Sequence, residues 1–266
     1  MKSKLIILLS LFAIYACTTK EAGREGEDTV ARIAVNPAAE GFNLEGSDPK
    51  AMAWADAVMK AMGGREQWDN LRYLAWNFFG VRDLVWDKKE GRVRIDFPRD
   101  SAVYLANINT MTGKVQKNGE EVTHPDSLTK YLQRAKGIWI NDSYWLVMPF
   151  KLKDSGVTLK YLRQDTMLTG TQAEVLELTF ENVGNTPGNK YEVFIDPADS
   201  LVKQWAYFKE ASQDSASAIW PWDNYAQYNG VLLSGDRSDN RGPKNVRVYD
   251  QLPVEVFESF DEPLLE

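Results

Sequence analysis

From Val157 onward the chain runs in short segments that alternate apolar and polar residues, and the spacers between them leave room only for reversals. Leu176, Leu178 and Phe180 alternate with Glu177 and Thr179, Tyr191, Val193 and Ile195 alternate with Glu192 and Phe194, and Leu201 to Phe208 carries Trp205 and Tyr207. A period of two is the signature of a strand with two different faces. The spacers Asn185-Thr186-Pro187-Gly188-Asn189 and Asp196-Pro197-Ala198-Asp199 are built from turn residues. A parallel crossover needs a dozen residues or more. The sheet is therefore expected to be antiparallel.

The first half reads in the same terms once a helix has been set down. Ser47-Asp48-Pro49 is a helix start, with a polar cap before a proline at the first helical position. Met52, Ala55, Met59 and Met62 follow at helical spacing, Trp54 and Val58 widen the stripe, and Gly63-Gly64 can close it. Tyr73 to Val85 is apolar on both faces, as expected of a strand covered on both sides. Arg92 to Phe97 alternates cleanly, which turns Arg92, Arg94 and Asp96 toward water. Ser101 to Asn107 and Lys114 to Lys117 continue the meander. Asp126 or Ser127 starts a second helix that Gly137 interrupts. Asn141 or Asp142 then caps a short helix through Leu146 and Val147, and Pro149 ends it. Asp154-Ser155-Gly156 is a turn, and Gly230 to Leu233 and Asn245 to Tyr249 are the last clear strands. The expected class is α+β: about ten antiparallel strands with two or three helices.

The amino terminus speaks to location. Lys2 and Lys4 precede the apolar run Leu5 to Ala16, which is too short to span a bilayer but is proportioned like a secretory signal. Cys17, the only cysteine of 266 residues, follows at once. Leu11 to Cys17 resembles a bacterial lipoprotein signal, which implies acylation at Cys17 and an outer-membrane anchor on the periplasmic face or at the cell surface. Thr18 to Gly46 reads as a flexible tether, so the expected domains are a signal at 1–16, a lipidated tether at 17–47 and a folded body at 48–266.

Composition excludes several functions. A net charge of −7 argues against a nucleic-acid partner. His124 is the only histidine, which excludes a multi-histidine metal site, and it reads as a solvated residue at a helix start. Asp83, Asp87 and Glu90 read as solvated carboxylates, and Asp236 to Gly242 as a polar turn without the ligand spacing of a calcium loop. No Gly-rich phosphate loop follows a strand. No cofactor or metal is expected, the chain is read as non-enzymatic, and an envelope hydrolase is a remote alternative.

Three features together resemble the LolA/LolB superfamily, and within it the uncharacterised envelope lipoproteins. They are the Met62-Gly63-Gly64 end of the first helix, the aromatic strand after Trp68-Asp69-Asn70-Leu71, and the helical insertion before Tyr144 to Val157. The resemblance implies a curved, unclosed antiparallel half-barrel holding helices in its concave face. It also implies an apolar groove for a lipid, an acyl chain or a lipoprotein. No functional residue is carried over from that family. Large aromatics nominate the groove: Trp76 and Phe78 early, Trp145 and Phe150 in the central stretch, Trp205 and Tyr207 late. Ala75 or Ala206, whichever faces inward, is expected to set its width. The alternative is a structural or assembly lipoprotein whose concavity is filled by its own helices.

Overall fold

In the computed structural model, residues 36–235, 237–238 and 241–265 are described. The apolar leader, Cys17, the tether up to residue 35, and Asp236, Asp239 and Asn240 of the polar turn lie outside the described residues.

Helix α1 (Pro49–Ala61) begins where the Ser-Asp-Pro signal puts it. Asp48 occupies the cap position but does not cap: its carboxylate accepts the Tyr161 N–H at 3.0 Å and Lys160 at 3.1 Å. Those two hydrogen bonds hold its pKa below the usual carboxylate value. Ala51, Ala55, Val58, Met59 and Met62 are buried, and Gly63 and Gly64 take the positive φ that ends the helix. A short α2 (Arg65–Asn70) leads into the sheet.

The first sheet has seven strands in the order β14-β1-β2-β3-β4-β5-β6. These are β1 (Tyr73–Phe78), β2 (Arg82–Asp87), β3 (Arg92–Phe97), β4 (Ala102–Asn107), β5 (Thr112–Lys117), β6 (Glu120–Glu121) and β14 (Pro243–Tyr249). The second has five, in the order β11-β10-β9-β8-β7, from β7 (Val157–Thr166), β8 (Gln172–Phe180), β9 (Lys190–Ile195), β10 (Val202–Phe208) and β11 (Ala218–Pro221). β12 (Tyr225–Tyr228) and β13 (Val231–Ser234) form a separate hairpin. Every pairing is antiparallel, and the sheets are curved and unclosed. The strands fall into three sheets, and α3 (Pro125–Val147) lies between β6 and β7 in the chain.

Several expectations are corrected. Tyr73 to Val85 is not one strand but the hairpin β1–β2, reversed at Phe79 (φ +52°) and Gly80 (φ +70°). Both faces of β1 are covered nonetheless. Leu74 and Trp76 join the main core, while Tyr73 and Ala75 pack with Val85, Val256 and Phe257. Gly137 does not interrupt α3, which runs unbroken for 23 residues, about 35 Å at 1.5 Å per residue. Neither Asn141 nor Asp142 is a cap, since both lie mid-helix. Arg94 does not meet water: it is 1% exposed beneath residues 254–261.

Residues 36–47, read from the sequence as part of the tether, lie against β7 and the segment before it. Asn43 N–H donates to the Val157 carbonyl at 3.0 Å, Asp48 N–H to that of Leu159 at 2.9 Å, and the Leu159 N–H to Ser47 Oγ at 3.0 Å. This segment covers the upper half of an otherwise open strand edge. Its anchor is Phe42, which is 8% exposed and part of the main core.

A register shift between Val202 and Gln204 puts Val202 and Trp205 on the inner face of β10 although they are three residues apart. The outer face carries Ala206 and Phe208, packed with Met167, Val175 and Phe194.

Candidate functional site

The site is built around the last three turns of α3. Its orientation is fixed by Asp142, which is fully buried. Arg82 at the start of β2 grips it with two parallel bonds, Nε to Oδ2 at 2.5 Å and Nη2 to Oδ1 at 2.8 Å, and Asn141 Nδ2 adds a third at 2.9 Å. Burial pushes the Asp142 pKa up, and the Arg82 bonds work against that rise. The Arg82 guanidinium also lies 4.9 Å from the Phe78 ring centroid. Removing one partner of so desolvated a pair strands the other charge, at about 3–5 kcal/mol. The helix is thus locked to the first sheet at one residue.

With α3 held, Trp145 becomes the hub of an aromatic wall. It meets Trp205 edge-on at 4.7 Å, Phe79 at 5.2 Å and Trp220 at 5.4 Å. Arg237 lies behind this wall, 1% exposed, with its guanidinium 3.8 Å from the Trp222 ring centroid and 6.0 Å from that of Trp145. Its Nη2 donates to the Trp145 carbonyl. Burial pulls its pKa down to about 9. The ring faces attract the guanidinium, and the charge of Asp223 works against the fall in its pKa. Trp222 is fully buried, whereas Ile219 is 45% exposed.

Between α3 and the inner faces of both sheets lies a cavity of about 310 Å³. Residues from Trp139 to Val147 of α3 line it over about 240° of the helix circumference at 100° per residue. Across from them stand Trp86 of β2, Phe180 of β8, Tyr191 of β9 and Trp205 of β10. The rings form two groups. Trp86 and Trp139 meet edge-on at 5.2 Å, while Tyr144, Tyr191 and Trp205 pack in series at 5.6 and 5.0 Å. Burial raises the Tyr191 phenol to about 12 and raises Tyr144 strongly, so both stay neutral at any physiological pH.

The exposed lining residues Ser155, Gly184, Asn185 and Thr186 mark the mouth. Lys151 and Asp154 pair with each other there. The β8–β9 loop that carries three of these residues is tied to α3, with Asn185 Nδ2 donating to the Gly137 carbonyl at 2.8 Å.

Of the six aromatics nominated from the sequence, Trp145 and Trp205 line this cavity. Tyr207 stands one ring behind, 5.6 Å from Tyr191 and 6.4 Å from Trp205. Trp76 is 2% exposed within the core, Phe78 packs on Phe79 at 4.7 Å, and Phe150 stacks on Trp68 at 4.3 Å, so these three serve the interior elsewhere. Ala75 and Ala206 face the outer clusters and do not set the cavity's width. Trp86, Trp139, Tyr144 and Phe180 were not nominated. The helix carrying Trp139 and Tyr144 reads as broken at Gly137, which hides their common face. Tyr191 was legible in principle, because it alternates in phase with Val193 and Ile195. His124 is exposed at the start of α3, as read.

No known family matches the chain by sequence, and no characterised protein does so either. Among solved structures, it is similar to a DUF1329 family protein from Desulfovibrio piger, with a TM-score of 0.42 at 12% identity over 80% of this chain and 98% of that one. A LolA superfamily protein from Nitrosomonas europaea gives 0.36 at 9% over 78% and 96%. An outer membrane lipoprotein-sorting protein domain from Vibrio parahaemolyticus gives 0.35 at 12% over 70% and 86%. One of these three proteins bears the name of the superfamily that the sequence resembles.

Proposed function

We propose that this chain is a non-enzymatic envelope protein that holds a lipid or acyl chain in the cavity around α3. The observation that carries the reading is the cavity itself, about 310 Å³ with aromatic walls, in a place where helices filling the concavity would have left none. It is about twice the size of an engineered cavity of ~150 Å³ that takes up benzene, and it sits at the lower end of the range for ligand pockets, about 300–1,000 Å³. Each methylene buried there contributes about 0.8 kcal/mol, so a chain of about ten offsets a substantial part of the entropic cost of association. Acylation at Cys17 would tether the body to a membrane and keep it near its lipid supply.

The test is titration of the purified protein with a long-chain fatty acyl probe, followed by tryptophan fluorescence. Trp86, Trp139, Trp145 and Trp205 all line the cavity, so binding is expected to change their emission and to saturate at submillimolar probe. Thr186→Trp, at an exposed position of the mouth, is expected to weaken binding about tenfold or more while leaving the folding stability within about 0.5 kcal/mol of the parent. A protein that binds no apolar probe would be left with the purely structural reading.

A further inference from the structure

A second cavity, of about 230 Å³, opens between α3 and the β3–β4 and β5–β6 turns, and it shares no lining residue with the cavity described above. Phe97, Ala102 and Tyr104 are buried and form its floor. The other lining residues are polar and reach solvent: Lys117 and Asn118 are half-buried, and Asp100 and Arg134 are exposed. Lys117 closes β5, and Arg134 stands in the third turn of α3. Two cations from different elements thus meet over one concavity.

Both are held by rings. The Lys117 ammonium lies 5.2 Å from the Tyr131 ring centroid and 3.4 Å from the Tyr131 hydroxyl, and the Arg134 guanidinium lies 5.7 Å from the ring centroid of Phe97. Tyr131 and Arg134 are three residues apart on α3 and share a face. Tyr131 and Phe97 both pack on Tyr104, at 5.6 and 4.9 Å. Ring faces position a cation without cancelling its charge, as a carboxylate would. Among the described residues neither Lys117 nor Arg134 is ion-paired with a carboxylate. Burial raises the Tyr104 phenol while Arg134 and Lys117 lower it, so both charges act on the same floor. Two unneutralised like charges converging on a cleft focus its field and favour an anion there.

We propose that this cavity binds the phosphoryl group of a phosphate monoester, held by Lys117 and Arg134. A phosphate monoester carries a charge between about −1.5 and −2 at pH 7 and three acceptor oxygens, which matches two cations. A carboxylate, with one charge and two oxygens, would leave one cation unmet. The space exceeds the ~150 Å³ of a cavity that takes benzene, so it admits the anion together with a small group that carries it. Asp100, the one carboxylate of the lining, stands exposed at the rim beside the amide of Asn118. These two suit a hydroxylated carrier, a glycerol fragment, which a soluble ester and a lipid headgroup have in common.

The experiment titrates the full-length protein with glycerol 3-phosphate by calorimetry. Saturable binding is expected, weakened about tenfold or more by Lys117→Gln and by Arg134→Gln, as the loss of a hydrogen bond to a charged group implies. Lys130→Gln removes a charge from an exposed position of α3 outside the cavity and is expected to change nothing. Thermal midpoints check that the three variants fold. Glycerate, the matching carboxylate, is expected to bind about tenfold more weakly than the phosphate ester. No saturation, equal loss in all three variants, or glycerate binding as tightly as the ester would overturn the inference, and none of these outcomes touches the reading of the cavity around α3. Dihexanoyl phosphatidic acid, kept below its micellar concentration, separates the two sources. An affinity above that of glycerol 3-phosphate that falls with Lys117→Gln upholds the site as one for a lipid headgroup, and any other affinity for this lipid upholds it as one for a soluble ester.

Discussion

Lys88 shows how much a single side chain can give up when the fold places it for packing rather than for charge. Its ammonium donates to the Trp68 carbonyl and lies 3.6 Å from the centroid of the same ring. Burial pulls its pKa from 10.5 down to about 8, with nearby Asp69 only partly restoring it and Arg65 and Lys151 lowering it further. Between about pH 8 and 10.5 the unfolded chain therefore binds more protons at this site than the folded one, so folding stability rises with pH across that window. Urea denaturation at pH 7 and pH 10 should show Lys88→Met losing this rise relative to the parent protein. Parallel pH profiles for the two proteins would mean that Lys88 is solvated. Asp87 carries linkage of the same sign at the acidic end of the scale. Burial opposes its ionisation, but Arg92, the Glu90 N–H and Arg72 together hold its pKa below 3.8. Its contribution is present at neutral pH and disappears as the pH falls through that lowered value.

At the scale of elements, the segment from Val254 to Asp261 does what a strand face usually leaves to solvent. Arg94 in β3 donates to the carbonyls of Val256 at 3.2 Å, Ser259 at 2.8 Å and Asp261 at 2.8 Å, and it pairs with Asp96 at 2.7 Å. Val256 and Phe257 then cover Tyr73 and Ala75 of β1. Arg94→Ala is expected to cost about 3 kcal/mol, since hydrogen bonds to a charged group contribute about 1.5–3 kcal/mol each and do not simply add. Hydrogen exchange should show the loss concentrated at β1 and β3, whereas a uniform loss would argue against a local clamp. Much of the element order was legible in the sequence, because periods of two and of 3.6 report which face a residue takes. What faces that face is a tertiary fact. The alternation at Arg92 to Phe97 is correct, yet Arg94 is buried by a segment more than 160 residues away. The one-strand reading of Tyr73 to Val85 failed for a similar reason. Phe79 sits in the left-handed region, which its side chain does not advertise, and the adjacent Gly80 was the only local hint. The cavity was half legible: aromatic content nominated Trp145 and Trp205, but only the unbroken path of α3 brings Trp139 and Tyr144 to the same chamber.

For the whole molecule, the proposed functions separate cleanly into anchor and body. Cys17→Ala is expected to move the protein from the membrane fraction to the soluble envelope fraction, while the body keeps its thermal midpoint and its affinity for a fatty acyl probe. Retention in the membrane by the variant would remove the anchor proposal without touching the cavity. Ligand at one hundred times its dissociation constant is expected to stabilise the body by about 2.7 kcal/mol, which for a domain of this size raises the midpoint by about 5–10 °C. The pairing of β1 with β14 has a consequence in time rather than in space. Tyr73 lies opposite Tyr249 and Phe78 opposite Pro243, so the opening strand of the larger sheet finds one of its two neighbours about 170 residues further along the chain. During synthesis that edge stays unpaired until the ribosome has released residue 249, and its outer face stays bare until residue 261 follows. Closing so long a loop is slow. The first strand to be made is thus the last to be finished, and a chain stalled before residue 243 would present an aromatic strand edge to whatever escorts it.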